Sequence, residues 1–201
     1  MPTNHEFTEL FTGQPLMAIL RGMGEEKSLA LAEQAWSLGI GLVEIPVQTE
    51  DDLRALRTVA AAGKSRGLLV GAGTVVSLKH VEQSAEAGAA FTVSPGLDLA
   101  VVAASTEAGM PTLPGVATAS EVQLALSAGL TWMKAFPASL LGAGWFKAMS
   151  GPFPQARFVA TGGMDSANAA TFLAGGASVV AVGSALEDPA QLPALAKIMQ
   201  R

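Results

Sequence analysis

The stretch LTWMKAFPA, residues 130–138, sets Lys134 among Leu130, Trp132, Met133, Ala135 and Phe136. Gly129 before it and Pro137 after it bound a short buried strand rather than a helix. An ammonium is costly to bury unless it is paired or gives up its proton. One other ionisable side chain stands inside a comparable apolar run, Glu44 between Val43 and Ile45-Pro46, and Arg21 closes a third such run. Two chemistries fit this pattern. Lys134 can be an amine nucleophile for a carbonyl carbon, with Glu44 moving protons nearby. Alternatively the two form a buried structural ion pair. Such pairs often add little stability over a hydrophobic replacement, so this one asks for another reason to exist. The remaining lysines, at 27, 64, 79, 147 and 197, have polar neighbours and read as solvated.

Composition removes the competing chemistries. The absence of cysteine excludes disulfides, thiolate nucleophiles and cysteine-ligated metals, and fits a reducing compartment. The two histidines are His5, in a polar N-terminus, and His80, which follows Lys79 at a predicted helix start. Both read as surface residues, so neither a histidine metal site nor a His-centred triad is expected. No carboxylate–histidine cluster is present, so the reading carries no metal and no cofactor. A net charge of −5 with scattered basic residues argues against nucleic acid or an anionic membrane as partner. No apolar run reaches the roughly 18 residues of a membrane span. Met1–Glu9 is polar and does not read as a targeting segment. These points predict a cytoplasmic enzyme acting on a small molecule.

The elements that must position Lys134 and Glu44 follow a repeating rhythm of short apolar run, Gly- or Pro-containing loop and Ala-rich helix. Eight runs read as strands: 16–20, 42–47, 67–72, 89–94, 110–115, 131–136, 157–161 and 178–183. Helices fall between them, for example 27–39, 50–63 and 77–88, with Gly39, Gly63, Gly88, Gly109 and Gly129 as predicted C-terminal caps. Thr49 and Thr118 precede acids as N-terminal caps. Strands apolar on both faces, alternating with helices, indicate a parallel sheet. Eight units in 201 residues predict one α/β domain, 1–201, folded as a (β/α)₈ TIM barrel, with NHEFTELFT as a short N-terminal helix at its bottom.

Chemistry in such a barrel gathers at the C-terminal strand ends. There the sequence places Arg21, Glu44 with Gln48, Thr74, Pro95, Lys134, Thr161 with Gly162 and Gly163, and Gly183 with Ser184. TGG after the seventh strand and VGSAL after the eighth put free backbone N–H groups where barrels commonly hold a phosphate. A lone glycine pair is usually a turn, so this reading stays open at the level of the residues. Thr74 offers a hydroxyl to a carboxylate or carbonyl.

VEIPVQTE, VGAGTV, SPG, PGVATASE, MKAFPAS, GPFPQARFVATGGM and AVGSAL occur in order along almost the whole chain. In these motifs the sequence resembles the 2-keto-3-deoxy-6-phosphogluconate (KDPG) / 4-hydroxy-2-oxoglutarate (KHG) aldolases and the related 2-keto-3-deoxy-6-phosphogalactonate aldolases. The resemblance implies a (β/α)₈ barrel that assembles as a homotrimer. It implies metal-independent class I aldol cleavage of a 2-keto-3-deoxy acid to pyruvate and an aldehyde such as glyceraldehyde 3-phosphate. Carried over by position, Lys134 is the Schiff-base lysine and Glu44 the general acid/base. Thr74 falls near the pyruvyl group, and Gly162, Gly163 and Ser184 at the substrate phosphate. The phosphogluconate branch carries a carboxylate-gripping arginine where this chain has Gln48, whereas ILRG at 19–22 and EIP look more like the phosphogalactonate branch. Arg21 is therefore expected to supply the missing cation.

Two other readings compete. A phosphate-binding barrel isomerase or synthase explains the glycine turns but gives Lys134 no covalent role. A barrel without catalysis, binding a small acid, draws its one support from Gln48, and the retained Glu44 and Lys134 count against it.

Overall fold

The computed structural model describes residues 4–200; residues 1–3 and 201, the ends of the predicted domain, lie outside the described residues. Parallel strands β1 (Leu16–Ile19), β2 (Val43–Pro46), β3 (Val70–Gly73), β4 (Thr92–Val93), β5 (Thr112–Leu113), β6 (Gly115–Val116), β7 (Trp132–Ala135), β8 (Arg157–Thr161) and β9 (Val179–Val182) form one sheet in the order β5-β4-β3-β2-β1-β9-β8-β7-β6. The run expected as one strand over 110–115 is broken at Pro114, which has no N–H to give to a ladder. The ring nevertheless closes there. Ser94 donates its amide to the Leu113 carbonyl at 3.1 Å, and Lys134 donates its own to the Pro114 carbonyl at 2.8 Å. Counting β5 and β6 as one interrupted strand, the molecule is the eight-stranded barrel expected from its rhythm.

Outside the sheet run α2 (Glu25–Ser37), α3 (Glu50–Lys64), α4 (Leu78–Glu86), α5 (Leu99–Glu107), α6 (Ala119–Ser127), α7 (Ala138–Leu141), α8 (Ala143–Ser150), α9 (Ala169–Ala174), a 3₁₀ turn (Ser184–Glu187) and α10 (Leu192–Met199). Strand residues alternate between two cores. Ala18, Val43, Ile45, Met133, Ala135 and Ala160 pack outward under the helices. Met17, Ile19, Leu42, Phe91, Trp132, Val159 and Ala181 fill the barrel interior. This period of two puts Glu44 and Lys134, each two residues past an inward Leu42 or Trp132, inside the barrel. The N-terminal helix α1 (Glu6–Leu10) plugs the bottom through Phe7 and Phe11, as expected. Asn4 pins it there. Its amide donates to the Thr112 and Trp132 carbonyls at 3.0 and 2.8 Å, and its oxygen accepts from the Thr131 and Trp132 amides.

One predicted cap is displaced. α3 continues through Gly63 to Lys64, and the left-handed residue that ends this segment is Gly67, at φ 70. Gly63 instead serves a close approach, since a Cβ there would lie 2.9 Å from Val70 Cγ2.

The N-terminal caps behave as predicted, and each closes a capping box, Thr49 with Asp52 and Thr118 with Glu121. The Ala117 amide, helped by the Thr118 hydroxyl and amide against the opposing effect of burial, holds the Glu121 carboxyl below the usual carboxylate range. A depressed folded-state value contributes stability above the unfolded value and loses it as pH falls through the folded one. Glu121→Gln is therefore expected to lower stability at pH 7 and to narrow its gap from the unaltered protein under acid. Urea unfolding at neutral pH and below pH 4 measures both.

Candidate active site

The C-terminal mouth of the barrel opens into a cavity of about 470 Å³. Arg21, Lys134, Thr161, Gly162, Gly163, Gly183 and Ser184 line it, together with residues the sequence reading did not single out, among them Met23, Met164, Asp165 and Glu187. The first three sit in loops and Glu187 ends the 3₁₀ turn; their approach to the mouth depends on closure of the ring, so no local spacing marks them.

Lys134 lines the cavity, and Glu44 lies next to it but outside the lining. Their side chains are 3% and 1% exposed, and Nζ lies 3.8 Å from Glu44 Oε1. That separation is an ion-pair contact but too long for a hydrogen bond, and Oε1 has no hydrogen-bond partner. The carboxylate fits because β3 presents no side chain to it. A Cβ at Gly73 would stand 1.9 Å from Glu44 Oε1 and 2.6 Å from its carboxyl carbon. Nζ also lies 5.4 Å from the centre of the Phe136 ring. Of the five apolar residues around the lysine in sequence, Phe136 alone borders the cavity. Met133 points outward under the helices, and Trp132 belongs to the interior core below, its indole N–H donating to Thr8 Oγ1 at 3.0 Å.

Arg21 gathers the next group. Its guanidinium donates to Gln48 Oε1 and, at 3.0 Å, to Thr74 Oγ1. Gln48 and Thr74 are thus joined to the cavity through an arginine that lines it. Thr74 is held at φ 56, the one non-glycine residue with positive φ among the described residues. A β-branched side chain in that region carries strain on the order of 1–3 kcal/mol. The His80 ring braces the turn, with Nδ1 lying 3.3 Å from both the Thr74 carbonyl oxygen and the Val76 amide. His80, expected at the surface, is half-buried for this reason.

Pro95 does not join the cavity. It lines a separate depression with Val75, Val76 and Leu97, and its carbonyl backs Gly115, where a Cβ would be 2.1 Å from that oxygen. Gly115 pairs with Lys134 in the ladder, so Pro95 touches the site only through the backbone behind the lysine. Thr161 reaches the cavity from the end of β8 and is buried. Gly162 and Gly163 follow at φ 97 and 74, and Gly163 is closed over by Ser139 Oγ, 2.6 Å from where a Cβ would stand. That backbone is available only to glycine.

A buried amine beside an unpartnered carboxylate, under an open cavity with an arginine at one side and a glycine-rich wall at the other, suits carbonyl addition and proton transfer on an anionic substrate. Comparison with known proteins agrees. The family model described as "Aldolase: KDPG and KHG aldolase" matches residues 8–200. The chain is 35% identical over 177 residues to the "Probable 2-dehydro-3-deoxy-6-phosphogalactonate aldolase" of Rhizobium meliloti, covering 88% of this chain and 83% of that protein. The crystal structure of the 2-keto-3-deoxy-6-phosphogluconate aldolase of Zymomonas mobilis with 3-phosphoglycerate superposes with a TM-score of 0.83. It is 31% identical, over 98% of this chain and 95% of that one. The KDPG aldolase of Legionella pneumophila, with pyruvate captured as a covalent carbinolamine, superposes with a TM-score of 0.80 at 30% identity, over 94% of each chain. Strand order, the placement of Lys134 and these likenesses lead to one conclusion: the chain belongs to the KDPG and KHG aldolase family.

Proposed function

We propose that this chain is a metal-independent class I aldolase that cleaves a 2-keto-3-deoxy-6-phospho sugar acid to pyruvate and an aldehyde such as glyceraldehyde 3-phosphate. The observation that carries the reading is the buried Lys134–Glu44 pair at 3.8 Å, with Glu44 Oε1 unpartnered and Lys134 lining the cavity at the barrel mouth. In this reading the Lys134 amine adds to the C2 ketone. Glu44 supplies and removes the protons of carbinolamine formation and dehydration. The protonated imine withdraws electrons from C3. Loss of the C4 hydroxyl proton then breaks the C3–C4 bond, releasing the aldehyde and leaving the enamine of pyruvate. Protonation at C3 and hydrolysis free pyruvate and the lysine.

Arg21 holds the pyruvyl carboxylate in place of the arginine that Gln48 displaces, with Thr74 as its companion. Gly162, Gly163, Gly183 and Ser184 receive the phosphate, and Thr161 stands between the two ends. Pro95 supports from behind and touches no substrate. The protein acts as one domain, assembles as a homotrimer and works in the cytoplasm. Among the described residues no helix is long and apolar enough to cross a membrane.

Borohydride reduction in the presence of pyruvate, followed by peptide mapping, tests the reading. A single adduct on Lys134 is expected; none, in folded protein, would leave the pair with a structural role only. The Arg21 assignment has its own test. Arg21→Ala is expected to raise the apparent KM for pyruvate in the aldol direction by about 10- to 100-fold, the loss of a charge-assisted contact. Gln48→Ala is expected to change it only a few-fold. Equal effects would sink the assignment.

A further inference from the structure

The distal end of the cavity is rich in carboxylate. Asp165 and Glu187 both line it, beside Gly162, Gly163, Gly183 and Ser184. Asp165 is committed to its own turn, where Oδ1 accepts the Ala167 and Asn168 amides at 2.9 Å each. Glu187 is instead paired with Lys27 of α2, whose ammonium donates to Oε2. The cations that line the cavity are engaged elsewhere, Arg21 with Gln48 and Thr74, and Lys134 beside Glu44. A phosphate dianion laid along the glycine wall would meet backbone amides and the Ser184 hydroxyl, but no lining cation free to answer its charge. Lys27 itself lies in a neighbouring depression that shares Met23 with this cavity, and its ammonium reaches the cavity's edge at Glu187.

Lys27 reads as a solvated surface lysine in the sequence, and its side chain is indeed 55% exposed, with Glu187 at 36%. Exposure at both ends makes the pair cheap to break, because solvated ion pairs contribute little net energy. A phosphate oxygen, by contrast, offers a charge-assisted hydrogen bond to a doubly charged group. We propose that Lys27 is the counter-ion of the substrate's phosphate, held on Glu187 until substrate arrives, and that this pair sets the preference for phosphorylated over unphosphorylated aldehyde ends. The proposal rests on the aldolase reading above. It has a distinctive sign. Lys27 attracts the phosphate while Glu187 both competes for Lys27 and repels the anion, so the two partners of one ion pair pull the same preference in opposite directions.

The test is aldol synthesis from pyruvate with D-glyceraldehyde 3-phosphate and, separately, with D-glyceraldehyde. The readout is the ratio of kcat/KM for the two aldehydes. Lys27→Met is expected to lower that ratio roughly tenfold and Glu187→Gln to raise it roughly threefold, with the double variant in between, magnitudes set by a partly solvated charge a few ångströms from a dianion. Both effects should shrink in high salt. A pair that merely clamps α2 to the 3₁₀ turn would lower thermal stability in both variants and leave the ratio unmoved, and that result overturns the proposal. A ratio lowered by Glu187→Gln as well as by Lys27→Met overturns it too. If the unaltered protein used neither aldehyde and trapped no pyruvate under borohydride, the aldolase reading itself would fall, and this proposal with it. Trapped pyruvate with an unmoved ratio removes the role of Lys27 alone.

Discussion

Lys134→Met is expected to lower aldol cleavage by roughly 10⁵-fold or more, since loss of a covalent nucleophile removes the whole imine route and not one contact within it. The variant should also give no borohydride adduct with pyruvate. Its stability is the second half of the prediction. Methionine fills the lysine's volume, but it leaves Glu44, 1% exposed and with Oε1 already lacking a hydrogen bond, as a lone buried carboxylate. Removing one partner of a buried pair costs about 3–5 kcal/mol. Adding Glu44→Gln to the same chain withdraws that charge and should recover much of the lost stability while restoring no activity. Thermal unfolding of the two variants beside the cleavage assay separates the roles. A double variant as unstable as the single one would mean that the charges of this pair are not what makes it costly to break.

Glu44→Gln alone is expected to lower kcat by about 10²–10⁴-fold, the usual worth of general acid–base catalysis. The apparent KM for pyruvate should move much less, because the hydrogen bonds that hold Arg21 run to Thr74 and Gln48 and not to Glu44. The protons of carbinolamine formation and dehydration would have to come from solvent, so imine formation with pyruvate should slow in step with kcat. Steady-state kinetics, with the rate of borohydride-trapped adduct formation measured beside it, checks this. An unchanged trapping rate with a reduced kcat would move the proton transfer from Glu44 to another group.

The two residues that carry these predictions were visible in the sequence because barrel strands are apolar on both faces, and a charge inside such a run stands out. The rhythm of apolar run, loop and helix located the strands, and the glycine turns after β8 and β9 marked residues that line the cavity. What local pattern could not show is what the closed ring brings together. Glu187 and Lys27 are 160 residues apart, and each taken alone is an ordinary surface charge. Pro95, placed in the site by its position after a strand, turns away because the backbone there packs against Gly115. The expectation for the run 110–115 failed at Pro114 for a reason that is local, yet the barrel closes because the neighbouring carbonyls still accept from Ser94 and Lys134. Met133 and Trp132 flank Lys134 in the chain but not in space, since one points outward and the other fills the layer below.

Gly73 is the mould in which the acid is cast. The carboxylate of Glu44 occupies space that any side chain at position 73 would claim, 1.9 Å from where a Cβ would begin. The acid and the gap beside it are therefore one fitting made from two strands. A methyl group at 73 would push aside the end of the Glu44 side chain before it disturbed any backbone, so it would reach the chemistry first and the barrel second.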